Sequence, residues 1–184
     1  MSKKDQIKGN CACGNVKYKI EGNPLFTQAC HCKNCKLSTG SSFVIHTMVM
    51  EEDFKISGDV ASIDLPTGSG KGYNAYFCII CGVYVFCRYN ISKGRIAVRT
   101  QTLQKPIEPQ AHIFVKSKDP WIEINDKKIC YNEMYDREKT WPKDSLDRIK
   151  LELKAKNIKQ FGLRIILLKL LIKQNYHINF RLKN

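Results

Sequence analysis

Seven of the nine cysteines in this 184-residue chain lie in three short clusters. The clusters are Cys11-x-Cys13, Cys30-x-Cys32-x-x-Cys35 and Cys78-x-x-Cys81. This close spacing is typical of zinc sites, where thiolates from one short segment bind the same ion. The odd number of cysteines, and an N-terminus without an apolar signal segment, argue against a disulfide-bonded secreted protein. The sequence therefore predicts a metal-binding protein of the cytoplasm, with the nucleus as the alternative.

The seven clustered cysteines divide into a group of four and a group of three. A structural zinc has four protein ligands, whereas a catalytic zinc typically has three and leaves one position for water or substrate. The two pairs together predict the closed structural site: Cys11, Cys13, Cys78 and Cys81. The triplet predicts the open catalytic site: Cys30, Cys32 and Cys35. We therefore expect two zinc ions per chain, one that holds the fold and one that takes part in chemistry.

The two cysteines of a C-x-C segment are expected to converge if the segment is extended. Residues i and i+2 of a strand point to the same face, so Cys11 and Cys13 would bind one ion and Cys30 and Cys32 another. On the same reasoning His31 faces away from the metal, either beside the site or toward solvent, and is not expected to be a ligand. The sequence thus predicts purely sulfur donor sets at both sites.

The body of the chain, residues 1–142, shows the pattern of a β protein. Short stretches rich in β-branched and aromatic residues alternate with turn signals. These predicted strands are residues 16–20, 43–50, 73–77, 83–89, 96–100, 113–116 and 121–124. No part of the body sustains helical periodicity for three turns. Glycines that follow Cys13 and Cys81 are expected to allow tight turns at the metal sites. An antiparallel all-β body held by zinc is the predicted fold.

Four blocks of sequence carry a resemblance to a known family. They are Gly9-Asn10-Cys11-Ala12-Cys13-Gly14, Cys30-His31-Cys32-Lys33-Asn34-Cys35, Phe77-Cys78-Ile79-Ile80-Cys81-Gly82 and His112-Ile113-Phe114-Val115-Lys116 with Trp121. In order and spacing they resemble the glutathione-dependent formaldehyde-activating enzymes, also called the GFA or centromere protein V family, over residues 7–126. The resemblance implies a zinc-stabilised antiparallel β-tent domain, two zinc sites divided as above, and carbon–sulfur lyase activity.

The donor set of the open site favours a thiol substrate. A zinc held by three thiolates has a net charge near −1, so it is a weaker Lewis acid than a zinc held by histidines. A thiol in the fourth position would be deprotonated and held for attack on a small aldehyde. We therefore expect formation or cleavage of S-hydroxymethylglutathione, or of a related thiol adduct.

Glutathione also carries carboxylates, so cations are expected near the open site. The candidates are Lys33, Lys36, Arg88 and Arg99. An arginine fork would bind a carboxylate through two hydrogen bonds. The acidic run Glu51–Asp53 is interpreted as a solvated turn. No general base is evident in the sequence.

Residues 143–184 form a basic C-terminal tail. Eleven lysines and arginines against three acidic residues give it a net charge of +8, out of +14 for the whole chain. Its apolar residues recur at helical spacing, which predicts a helical extension. The densest apolar run, residues 163–172, is too short to cross a bilayer. Contact with an anionic membrane, with nucleic acid or with the body all remain open. The alternative function is a non-catalytic zinc module that binds nucleic acid or another polyanion.

Overall fold

Two β-sheets and few helices make up this protein. The structure is a computed structural model that describes residues 6–67 and 70–155. The strands are β1 (Ile7–Asn10), β2 (Lys17–Ile20), β3 (Phe26–Cys30), β4 (Val44–Met50), β5 (Phe54–Ser57), β6 (Val60–Leu65), β7 (Tyr73–Cys78), β8 (Tyr84–Tyr89), β9 (Arg95–Arg99), β10 (Ala111–Ile113) and β11 (Ile129–Tyr131). Two short helices are α1 (Lys33–Thr39) and α2 (Arg137–Thr140), and a further helical segment begins at residue 143. The prediction of a mainly β protein is confirmed.

The strands form a three-stranded sheet, β1-β2-β5, and an eight-stranded sheet, β11-β10-β3-β4-β9-β8-β7-β6. The prediction of a wholly antiparallel fold is wrong at one edge, because β10 runs parallel to both β3 and β11. Parallel neighbours need a long connection between them. Residues 114–128, which link β10 to β11, provide one.

The predicted segment 113–116 overlaps a strand only at Ile113, the last residue of β10, and continues into a 3-10 helix, Val115–Ser117. Of the other six predicted segments, five contain a strand in the structure. The segment 121–124 does not, because residues 122–125 are irregular. Five strands were not predicted: β1, β3, β5, β6 and β11. Strand β6 shows why, since Ser62 and Asp64 interrupt its apolar residues and its central residues, Ile63 included, are exposed. Its extended form comes from pairing with β7 along its whole length.

The main apolar core contains side chains from both sheets. Phe54 of the small sheet lies 5.0 Å, between ring centroids, from Phe86 of the large sheet, and Phe86 stacks on Tyr76 at 4.3 Å. Burying side chains of this size stabilises a fold by about 1.5–3 kcal/mol each. Cys11 and Cys78 belong to the same core. One predicted metal site is therefore built directly onto the packing between the sheets.

The C-terminal part of the described chain is helical from residue 143 to residue 155. The chain divides into two compact units at Ser145 and Leu146. The division at residue 142 into a zinc domain and a tail stays a prediction. Most of the predicted tail, residues 156–184, lies outside the described residues. The hypothesis that this part binds a polyanion therefore stays untested by the structure. Within residues 6–67 and 70–155, no helix is long and apolar enough to cross a membrane.

Candidate metal centres

The structure brings Cys11, Cys13, Cys78 and Cys81 together as one four-cysteine cluster, with all four sulfur atoms within 4.8 Å of one another. The Sγ atoms of Cys11 and Cys13 are 3.5 Å apart, and those of Cys13 and Cys78 are 3.7 Å apart. A tetrahedral zinc with Zn–S bonds of about 2.3 Å places its sulfur ligands about 3.8 Å from each other. The spacing and the donor set both fit a zinc ion.

Two tight turns, rather than strands, shape the four-cysteine cluster. Strand β1 ends at Asn10, so Cys11 and Cys13 lie in the turn that follows it. The strand argument for this pair is therefore wrong, although its result, two converging thiols, holds. Gly14 and Gly82 have φ angles of +76° and +70°, a region that glycine enters without strain. Each donates its backbone N–H to the carbonyl oxygen of the first cysteine in its turn, at 3.1 and 2.9 Å.

Backbone amides make the four-cysteine cluster favourable for thiolates. The amide of Val16 donates to Cys11 Sγ at 3.2 Å. Hydrogen bonds from the backbone of Val83 and of Cys13 lower the pKa of Cys81 to about 6. Donors that face a sulfur atom stabilise its charged form. The thiolate form of Cys81 is therefore favoured. A backbone hydrogen bond from Asn15 lowers the pKa of Cys13, but desolvation and contacts with the other three thiols outweigh it and raise this pKa to about 12.

Cys30, Cys32 and Cys35 form a second group, the three-cysteine cluster, with sulfur atoms again within 4.8 Å of one another. Cys30 is the last residue of β3, and Cys32 is the N-cap of α1 with extended backbone angles. The amide of Cys35 donates to Cys32 Sγ at 3.4 Å. One strand end and one short helix therefore place the three thiols, which could hold a metal ion with one position left over.

Hydrogen bonding among these three thiols separates their pKa values. Contacts with Cys30 and Cys35 lower the pKa of Cys32 to about 2. The contact with Cys32 raises the pKa of Cys30 to about 12. The pKa of Cys35 is raised further, first by its contacts with Cys30 and Cys32 and then by burial. A metal ion that binds all three must displace the two retained protons, which is the usual coupling of metal binding to thiol ionisation.

His31 lies in a buried chain of hydrogen-bonding groups. Its side chain is fully buried, so the solvent-facing alternative is wrong, and it is not part of either cysteine cluster. The Nε2 atom of His31 is 3.0 Å from Nδ1 of His112, and Nε2 of His112 is 2.9 Å from the carboxylate of Asp126. A carboxylate accepts, so His112 donates from Nε2 and accepts from His31 at Nδ1. Burial, and then the neighbouring His112, lower the pKa of His31 to about 4.

His46 was missed by sequence reasoning, although it contacts the three-cysteine cluster. Its Nε2 lies 3.6 Å from Cys35 Sγ, and the residue is buried in β4. Arg99 of β9 is its direct partner in the sheet register. The available signal was a histidine within a mostly apolar strand segment, which indicates a buried polar group that needs a partner.

The four cations expected near the open site have different surroundings. Lys36 pairs with Asp119 and also donates to the carbonyl of Ser117 at 3.0 Å. Arg88 pairs with Glu51 at 2.9 Å, so the acidic run is not merely a solvated turn. Arg99 is buried, and Lys33 is exposed at the start of α1. Binding of a substrate carboxylate by any of them stays a prediction.

The two lone cysteines also differ in their surroundings. Cys87 is fully buried in β8, and its pKa is raised chiefly by burial. Cys130 is exposed in β11. Neither belongs to a metal-binding group among the described residues. Cys130 therefore serves as a control position for substitutions in the clusters.

Comparison with known proteins identifies the family of this chain. Residues 6–117, more than half of the chain, match the model of the family described as glutathione-dependent formaldehyde-activating enzyme. A crystal structure of a Rhodobacter sphaeroides protein from a structural genomics programme is similar over 67% of this chain and 98% of that chain, with 17% sequence identity and a TM-score of 0.44. No curated protein matches the sequence. The chain belongs to the glutathione-dependent formaldehyde-activating enzyme (GFA) family.

Proposed function

We propose that this protein is a zinc-dependent carbon–sulfur lyase that forms or cleaves S-hydroxymethylglutathione or a related thiol–aldehyde adduct. The observation that carries the proposal is the pairing of a complete set of four thiols with a set of only three. Four sulfur ligands close a zinc site, whereas three leave a position for substrate. The family description supports glutathione and formaldehyde as the substrates.

The roles of the cysteines follow from this division. The four-cysteine cluster would hold a structural zinc, and Cys30, Cys32 and Cys35 would hold the catalytic one. A zinc ion bound by these three residues would supply a positive centre that favours the ionised form of a substrate thiol. The three cysteines also orient the position left for substrate, because β3 and α1 fix their directions.

The reaction needs no oxidant or reductant. In the forward direction the thiol S–H bond breaks, the sulfur forms a bond to the aldehyde carbon, and the carbonyl oxygen gains a proton. The product is a hemithioacetal, and the reverse reaction breaks the carbon–sulfur bond. Holding the sulfur in a fixed position would lower the entropic cost of the reaction, because one of the two reactants is already bound and oriented for attack.

The test is the rate at which glutathione, formaldehyde and their adduct exchange, measured by NMR on the zinc-loaded full chain. We expect acceleration over the uncatalysed exchange, and we expect Cys35→Ser to abolish it. Cys130→Ser, in an exposed cysteine outside both clusters, is the matched control and should retain full activity. A Cys35→Ser protein that is folded and as active as the wild type would refute the proposal.

A further inference from the structure

The buried side chain of Arg99 lies close to the three-cysteine cluster. Arg99 is only 5% exposed, and its guanidinium carbon lies 3.6 Å from the centre of the Tyr84 ring. It has no carboxylate partner in the described part of the chain. Its Nε is also buried without a hydrogen-bond acceptor there. A buried charge without compensation is strongly unfavourable, so the positive charge of Arg99 requires a negative group nearby.

His46 connects Arg99 to the metal-binding thiols. Nη1 of Arg99 is 3.0 Å from both ring nitrogens of His46, and Nε2 of His46 is 3.6 Å from Cys35 Sγ. A guanidinium can only donate, so one imidazole nitrogen must accept from it. If Nδ1 accepts, Nε2 carries the hydrogen and donates it to the sulfur. In this arrangement Nη1 of Arg99 donates to His46 and His46 donates to Cys35, whose sulfur accepts most strongly as a thiolate.

The positive charge of Arg99 balances the net charge of the three-cysteine cluster with a bound divalent cation. Three thiolates and a divalent cation have a net charge of −1, and Arg99 supplies +1 at a distance of two hydrogen bonds from Cys35. An anionic fourth ligand would bring the cluster to −2, and the fixed positive charge then offsets part of the added repulsion. A neutral fourth ligand gains no such advantage.

We propose that Arg99, acting through His46 on Cys35, is a positioning residue that makes the three-cysteine site prefer a thiolate over a neutral molecule as its fourth ligand. The inference rests on the proposed function, since it assumes that the open position receives a thiol. It also gives Arg99 a role different from direct binding of a substrate carboxylate. Arg99 is buried and contacts His46 and Tyr84, so it acts on the cluster through His46 rather than from the surface.

The test uses the full chain loaded with Co²⁺, whose sulfur-to-metal absorption bands report ligands at the site. The wild type, Arg99→Gln, Arg99→Lys and the control Arg88→Gln are titrated separately with 2-mercaptoethanol and with imidazole. Arg88 is the matched control because it is an arginine on the adjacent strand that pairs with Glu51, and because neither 2-mercaptoethanol nor imidazole carries a carboxylate for it to bind. A change on adding thiol that is absent in Cys35→Ser identifies the three-cysteine site.

We expect Arg99→Gln to weaken binding of 2-mercaptoethanol roughly 10- to 100-fold, the effect of one charge two hydrogen bonds away at an intermediate effective dielectric constant. Binding of imidazole should change less than about threefold, because that ligand is neutral. Arg99→Lys, which keeps the charge, should recover most of the thiol affinity, and Arg88→Gln should match the wild type.

Each other outcome has a definite meaning. If Arg99→Gln binds thiol as well as the wild type, or loses both ligands equally, the inference is wrong while the proposed function stands. If the wild type binds imidazole but no thiol, the proposed function fails. Should Arg99→Gln not fold, Arg99→Lys still decides, because a loss of thiol affinity of more than about tenfold with the charge retained would overturn the electrostatic explanation.

Discussion

Replacement of Cys81 by serine should destabilise the protein far more than replacement of Cys35. The four-cysteine cluster joins the turn after β1 in the small sheet to the end of β7 in the large one. A metal ion there closes a loop between Cys13 and Cys78, which are 65 positions apart. Such an ion would therefore act as a cross-link between parts of the chain that are remote in sequence.

The size of the effect follows from the entropy of loop closure. The chain-entropy expression for a cross-link gives about 4 kcal/mol for a loop of this length at 25 °C, a large share of the 5–15 kcal/mol by which a typical domain is stable. The same expression gives about 2 kcal/mol for the local loop of the three-cysteine cluster. That value is an upper limit, because α1 already holds Cys35 against Cys32.

The assay is thermal unfolding of the zinc-loaded full chain, followed by circular dichroism. Cys81→Ser should lower the melting temperature by roughly 8–16 °C, the shift expected for about 4 kcal/mol in a chain of this size. Cys35→Ser should lower it by less than half as much, and Cys130→Ser should leave it unchanged. Equal losses for Cys81→Ser and Cys35→Ser would refute the division into a structural and a catalytic site.

Three further predictions concern the folded body. Gly82→Ala should lower the free energy of unfolding by about 1–2 kcal/mol in urea titrations, because φ is +70° while open space surrounds the added methyl group; no loss would mean that the turn relaxes. Phe86→Ala should cost about 3–5 kcal/mol by the same method, since the ring is fully buried and stacks on Tyr76, and a loss below 1 kcal/mol would contradict that packing. The hydrogen bond from Lys36 lowers the pKa of Asp119 below its ordinary value of 3.8, so its stabilising contribution is present above pH 3.8 and lost as the pH falls through the lowered value. Asp119→Asn should therefore be less stable than the wild type at pH 7, and this difference should shrink as the pH falls below 3.8. A difference that does not shrink in acid would exclude the ion pair as its source.

The strand predictions succeeded where sequence pattern and burial agree. Strands β4, β8 and β9 are rich in β-branched and aromatic residues and are almost entirely buried, so their composition shows in the sequence. Strands β6 and β11 have exposed central residues and exist through pairing with a neighbour. Local composition does not show such pairing, because the partner's hydrogen bonds are what hold the segment extended.

The sequence by itself determined the donor chemistry of this protein. Thiols spaced by one or two residues reach a common point in almost any turn, so the three clusters and their grouping into four and three were visible before the fold. The tertiary structure alone decided which remote groups face these thiols. Sheet register sets His46 opposite Arg99, and the parallel pairing of β3 with β10 brings His112 beside His31. Such contacts depend on the alignment of strands distant in sequence, and a shift of one residue would turn each side chain to the opposite face.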